Sequence, residues 1–137
     1  VDAVGICAVE LFVTTDGAVL VNEIALRPHN SGHATIEGAL TSQFHNHLRA
    51  VLDWPLGATG LRAPVAATVN VLGADDPAVA DRVPAALAVP GAHLHLYGKA
   101  ARPGRKVGHV TVLGDDAGAA LTAARRAARA LTHPPTP

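Results

Sequence analysis

Three groups of residues in this sequence have types and spacings that could do chemistry. The first is a pair of glutamates. Glu10 lies in "VELFVT" and Glu23 in "VNEIA", on either side of Asp16-Gly17, the strongest short hairpin signal. If Asp16 and Gly17 are the two central turn residues, Glu10 faces Glu23, Phe12 faces Val21 and Ala8 faces Ala25. Side chains directly opposite in an antiparallel pair have Cβ atoms roughly 4.5–5.5 Å apart. Two carboxylates there repel, and nothing at the neighbouring positions neutralises them. A divalent cation such as Mg²⁺ would turn that cost into a gain, since hard cations take carboxylate oxygens and share them with substrate phosphates. Asn22 offers a further oxygen to a cation or a nucleotide. The alternative is an exposed hairpin face on which both glutamates stay hydrated, and a three-residue loop would break the pairing.

The second group is the polar run after the hairpin, Arg27, His29, Asn30, Ser31, Gly32 and His33. Short donors beside glycine let backbone N–H groups approach an anion. The run leads into the expected start of a helix, where the dipole favours negative charge. A phosphate or carboxylate beside a metal fits it. Zinc on His29 and His33 lacks a third ligand at a convincing spacing. A loop that satisfies only itself is the other reading.

The third group is "GKAARPGRKVGH", with Lys99, Arg102, Arg105 and Lys106 and no acid among them. Arginine forks match phosphate oxygens and lysine adds a point charge. An exposed turn whose charges serve solubility is equally compatible. His93 and His95 read as structural residues of a strand, and Arg125, Arg126 and Arg129 as the solvated face of the last helix.

These groups need elements to hold them. Residues 5–14 and 18–25 read as strands of the hairpin. Ile36, Leu40, Phe44, Leu48 and Leu52 recur every four residues and predict one helix over 35–52, with those residues on its apolar face. Residues 53–63 are rich in Gly and Pro and read as a linker. It divides residues 1–56 from a second unit, 57–137. In that unit 64–72, 92–97 and 106–113 read as strands. Asp75-Asp76-Pro77 opens a short helix. Asp116 caps a last helix over about 117–131, and the tail "THPPTP" is frayed. The expected class is α+β, with a mostly antiparallel sheet in the second unit.

Composition narrows the options. The chain has 137 residues, 11 basic and 11 acidic, so it lacks the basic excess of a nucleic-acid or acidic-membrane binder. No apolar run reaches the roughly 18–20 residues of a membrane span. Aromatics are scarce, so a core must come from Val, Leu, Ile and Ala. The single cysteine, Cys7, reads as a small buried strand residue. A cytoplasmic protein fits. The chain holds no methionine and opens directly into a strand pattern, which reads as a piece of a longer protein.

"VELFVT", "VNEIALRPHNSGH", "TSQFHNHLRAVL", "HLHLYGK" and "RPGRKVGHV" together resemble one family, the 5-(carboxyamino)imidazole ribonucleotide synthases, ATP-grasp enzymes of purine biosynthesis. "RPHNSGH" with "RPGRKVGH" carries the specificity, since other ATP-grasp ligases share an "NE". The resemblance implies the C-terminal end of an ATP-grasp domain, a hairpin plus helix, followed by a small α+β domain. It makes Glu10 and Glu23 ligands of Mg²⁺, with Mn²⁺ as a substitute, and Asn22-Glu23 an ATP contact. Arg27 and Asn30 take catalytic roles. His29, Asn30, Ser31, Gly32 and His33 line the ribonucleotide site, and Lys99, Arg102, Arg105 and Lys106 hold its 5′-phosphate.

The implied reaction is ATP-dependent carboxylation of 5-aminoimidazole ribonucleotide by bicarbonate, in a homodimer, with no nucleic-acid or membrane partner. Leu26 and Ala34 depart from the family pattern, which places a proline and an aromatic there. The lysines that hold ATP phosphates are not in this chain, so it is expected to be inactive alone. The alternatives are another ATP-grasp carboxylate-amine ligase or formyltransferase, which would share Glu10, Asn22 and Glu23 without the "RPGRK" turn, and a non-catalytic anion-binding module.

Overall fold

A computed structural model describes residues 2–73, 79–100 and 102–133. The chain divides into two compact units, residues 1–61 and 62–137.

The first unit opens with an antiparallel hairpin, β1 (Ala8–Val13) and β2 (Val19–Ala25). The connection is not the two-residue turn expected at Asp16-Gly17. Gly17 N–H donates to Thr14 O and Thr14 N–H to Ala18 O, both at 2.9 Å, so Thr15, Asp16 and Gly17 form a three-residue loop. Gly17 closes it with φ 86°, a conformation glycine adopts without strain. The loop shifts the register by one, and a bulge shifts it back. Leu11 pairs with Val21 but Glu10 with Glu23, leaving Asn22 as the extra residue. Ala8–Ala25 and Glu10–Glu23 are therefore opposite as expected, while Phe12 pairs with Leu20 instead of Val21.

The helix expected over 35–52 is interrupted. A 3₁₀ turn, Asn30–Ala34, leads into α1 (Thr35–Gly38), and α2 covers Gln43–Val51. Ala39 is extended (φ −111°, ψ 155°) and bridges to Leu61, while Leu40 N–H donates to Gly60 O at 2.8 Å. Ser42 then caps α2 by accepting from His45 N–H at 3.3 Å. The apolar stripe does not mark the buried face. Leu40, Leu48 and Leu52 are more than half exposed, and the residues α2 buries are Gln43 and Asn46. Asn46 bonds both backbone groups of Gly57, at 2.9 and 3.3 Å, and so ties down the segment after the helix.

Both faces of the hairpin are also open, with Phe12 and Leu20 each 53% exposed. Cys7, expected as a buried strand residue, lies just before β1 and is exposed. The buried hydrophobic side chains described in this unit are Ala25 and Ala39.

The second unit has the core. β3 (Val65–Leu72), β4 (Ala92–Leu96) and β5 (Lys106–Gly114) form an antiparallel sheet in the order β3-β5-β4. A short helix α3 (Val83–Leu87) precedes β4, and α4 (Ala117–Thr132) closes the unit. Asp116 caps α4 as its sequence predicts, accepting from Ala119 N–H at 2.7 Å. Ala120, Ala124, Ala127 and Leu131 of α4 pack on Val71, Val110 and Val112. The sheet's other face is polar: Thr68 Oγ1 and Thr111 Oγ1 lie 2.9 Å apart, and the next rung is Asn70–His109–His95. The helix start expected at Asp75-Asp76-Pro77 and most of the expected frayed tail lie outside the described residues.

Candidate active site

The bulge puts Asn22 beside the glutamate pair, and its side-chain N–H donates to Glu10 Oε1 at 2.6 Å. A second donor comes from the polar loop. His29 Nε2 lies 3.0 Å from Glu23 Oε1 and 3.5 Å from Glu10 Oε2. His29 Nδ1 accepts from Ser31 N–H at 3.3 Å and lies 2.8 Å from Ser31 Oγ, an arrangement that lets an Nε2 hydrogen face both carboxylates. Neighbouring groups therefore do offset the repulsion, contrary to the sequence expectation. Both glutamate side chains stay partly exposed, at 43% and 48%, whereas His29 is buried.

One oxygen from each glutamate and a ring nitrogen of His29 lie within 4.8 Å of one another. Two converging carboxylates are the donor set a hard divalent cation prefers, so the residues present fit Mg²⁺. The zinc pair His29 and His33 does not form. His33 instead stacks on Phe44 at 5.8 Å.

The loop is clamped from below by a residue the sequence reading did not single out. Gln43 Oε1 accepts from His29 N–H at 2.9 Å, and Gln43 Nε2 donates to His29 O at 2.7 Å. Gln43 N–H donates in turn to Thr35 Oγ1 at 3.0 Å, and the Thr35 hydroxyl bonds Gly32 O. A Cβ at Gly32 would collide with the Gln43 carboxamide, so the glycine is needed for close approach. A buried polar residue on an otherwise apolar-patterned helix was the available signal. Arg27 Nη1 donates to Pro28 O at 3.1 Å, and Asn30 and Ser31 are exposed. The helix whose dipole was expected to favour an anion here has only four residues, so that contribution falls away.

In the second unit, Gly104 (φ 71°) shapes the basic turn, and Gly73 N–H donates to Arg105 O at 2.7 Å. Lys99 Nζ sits 5.4 Å from the centre of the Tyr97 ring. Arg105 Nη1 donates to Ala100 O at 3.4 Å. Among the described residues, no carboxylate pairs with Lys99, Arg102, Arg105 or Lys106.

Comparison with known proteins assigns the class first. Residues 1–44 match the ATP-grasp domain, so the hairpin, its glutamates and the polar loop belong to an ATP-grasp protein. Residues 66–123 match the family described as phosphoribosylaminoimidazole carboxylase C-terminal domain. The chain is 58% identical over 134 residues to N5-carboxyaminoimidazole ribonucleotide synthase of Mycobacterium tuberculosis, covering 95% of this chain and 31% of the relative. It is 49% identical over 136 residues to the synthase of Corynebacterium ammoniagenes. A crystal structure of the Aspergillus clavatus synthase in complex with ADP and 5-aminoimidazole ribonucleotide matches with TM-score 0.80 and 40% identity, over 93% of this chain and 35% of that one. The Thermotoga maritima synthetase matches with TM-score 0.78 and 47% identity, over 92% and 36%. The chain belongs to the N5-carboxyaminoimidazole ribonucleotide synthase family. It spans about a third of the length of the curated relatives it matches.

Proposed function

We propose that this chain supplies the cation-binding hairpin, the substrate loop and the small C-terminal domain of an enzyme that carboxylates 5-aminoimidazole ribonucleotide with bicarbonate and ATP. One observation carries the reading. His29, from the loop, reaches the facing carboxylates of Glu10 and Glu23, so one side chain joins the cation pair to the substrate loop. In this reading residues 1–56 end the ATP-grasp domain and 57–137 form the C-terminal domain. The apolar side chains left open on the hairpin and α2 suit elements that continue a larger domain.

Mg²⁺ or Mn²⁺, when bound, would offset the charge of the ATP phosphates. Glu10 and Glu23 would hold it, with Asn22 contacting the nucleotide. A bicarbonate oxygen attacks the γ-phosphorus and ADP leaves, giving carboxyphosphate. The ribonucleotide's exocyclic amine then takes up the carbon as CO₂, phosphate is released, and the amine loses a proton. Such chemistry rests on positioning and charge neutralisation, which suits a site with no covalent nucleophile. Arg27 and Asn30 would act on the reacting anion, and His29, Ser31, Gly32 and His33 would line the ribonucleotide. Lys99, Arg102, Arg105 and Lys106 would hold its 5′-phosphate.

No helix described is long and apolar enough to cross a membrane, and a cytoplasmic homodimer fits this role. The test is phosphate release by the full-length protein carrying this chain. The reading requires dependence on both bicarbonate and 5-aminoimidazole ribonucleotide. ATP turnover indifferent to the ribonucleotide would overturn it.

A further inference from the structure

β4 runs directly into the basic turn. Tyr97 continues it by one backbone bond, its N–H donating to Val107 O at 2.9 Å, and Gly98 (φ 64°) then redirects the chain. Lys99 follows at once, with its ammonium 5.4 Å from the Tyr97 ring centre, within cation–π range. The ring itself is anchored. Its hydroxyl lies 2.7 Å from His109 Nδ1, on the central strand β5. His109 is only 1% exposed, and its ring stacks on that of His95 at 4.5 Å and 17°. Burial holds the Tyr97 phenol above its usual pKa, so it keeps its proton and can donate to Nδ1.

The contrast with Lys99 is the point. A lysine is a point charge on a flexible four-carbon stem, and ordering it costs rotamer entropy. Tyr97 is tied to the sheet through its backbone, its hydroxyl and the histidine stack. We propose that Tyr97 is a positioning residue for Lys99, holding the ammonium over its ring so that the basic turn presents a pre-placed charge to the phosphate of a phosphorylated ribonucleotide. The ring face engages one side of the ammonium and leaves its N–H donors on the other side for phosphate oxygens. His109 and His95 act one step further back by fixing the ring. This inference rests on the reading of the basic turn as the phosphate site.

The experiment is a double-mutant cycle in the full-length protein, with steady-state kinetics varying the ribonucleotide and, separately, ATP. Lys99→Ala raises the ribonucleotide KM. Tyr97→Leu raises it about two- to fivefold, with kcat and the KM for ATP little changed. Tyr97→Phe, which keeps the ring and loses the hydroxyl anchor, has a smaller effect. In the Lys99→Ala background neither Tyr97 substitution adds anything, because the residue being positioned is gone. Melting curves accompany each variant, and if Tyr97→Leu does not fold, the cycle is read from Tyr97→Phe.

A raised KM for Lys99→Ala with no effect of either Tyr97 variant overturns the inference and leaves the phosphate reading standing. Effects that add in the double variant overturn it as well. An unchanged KM for Lys99→Ala removes Lys99 from the phosphate site, and the inference goes with it.

Discussion

Replacing Gln43 tests how the loop at His29 is held. Its carboxamide bonds both the N–H and the C=O of His29, at 2.9 and 2.7 Å, in a buried setting. Each such bond contributes about 0.5–1.5 kcal/mol net, so Gln43→Ala should loosen the loop locally by about 1–3 kcal/mol. Tenfold in an equilibrium corresponds to about 1.4 kcal/mol. Amide hydrogen exchange at His29 should therefore speed up about five- to a hundredfold, if exchange proceeds by local opening. The assay is hydrogen exchange on the full-length protein, followed at the peptide containing His29, with peptides from β3 and β5 as internal references. Gln43→Glu offers a second perturbation. It keeps an acceptor for His29 N–H but sets an oxygen against His29 O, and it should also accelerate exchange. The KM for the ribonucleotide should rise in both variants. His29 exchange within twofold of the unsubstituted protein, in both variants, would refute the clamp.

Glu23→Gln in the full-length protein should lower turnover by orders of magnitude without lowering the melting temperature of the metal-free protein, because the amide oxygen still accepts from His29 while the charge that recruits the cation is lost. Near-normal turnover at ordinary Mg²⁺ would remove Glu23 from the ligand set. Alanine at Arg102, Arg105 or Lys106 should raise the ribonucleotide KM about ten- to a hundredfold wherever the side chain makes a charge-assisted bond, with the KM for ATP unmoved. If all three leave the ribonucleotide KM unchanged, these charges only solvate the turn. Asp16 is held below the usual carboxylate range, first by the Thr14 hydroxyl and then by backbone N–H groups. Its stabilising contribution is thus full above the unfolded value of about 3.9 and is lost as pH falls through the lower folded value. Thr14→Val should bring the Asp16 titration measured by NMR back up, and an unmoved titration would show that the hydroxyl does not matter.

Much of the second unit was legible in the sequence because its patterns are local. Strand runs, the Asp116 cap and the solvated arginines of α4 each rest on a few adjacent residues, and each appears as read. The helix over 35–52 failed because periodicity reports which residues could share a face, not which face is buried. Ala39 leaves the helix to bridge to Leu61, and the polar side chains of Gln43 and Asn46 turn inward to hold backbone that would otherwise lack partners. His29's reach to the glutamates depends on the same clamp. It is a contact between elements, and no spacing rule encodes it.

The glutamate pair shows how a right answer can have a different cause. A two-residue turn would have placed Glu10 opposite Glu23 with no irregularity in the strands. The chain instead uses a three-residue loop that displaces the register, and Asn22 as an extra residue that restores it. The correction is local to the site. Leu11, Phe12 and Val13 keep the displaced register, whereas Ala8, Val9 and Glu10 do not. An extra residue leaves part of the ladder unpaired, and such bulges often lie beside functional sites. Here the bulged residue is the one whose side chain donates to Glu10. Were β2 to continue the displaced register without a bulge, Asn22 would stand opposite Glu10 and Glu23 would turn to the opposite face. With this loop and this sequence, the bulge is thus what lets the two carboxylates meet, and the residue it sets aside, Asn22, donates to one of them.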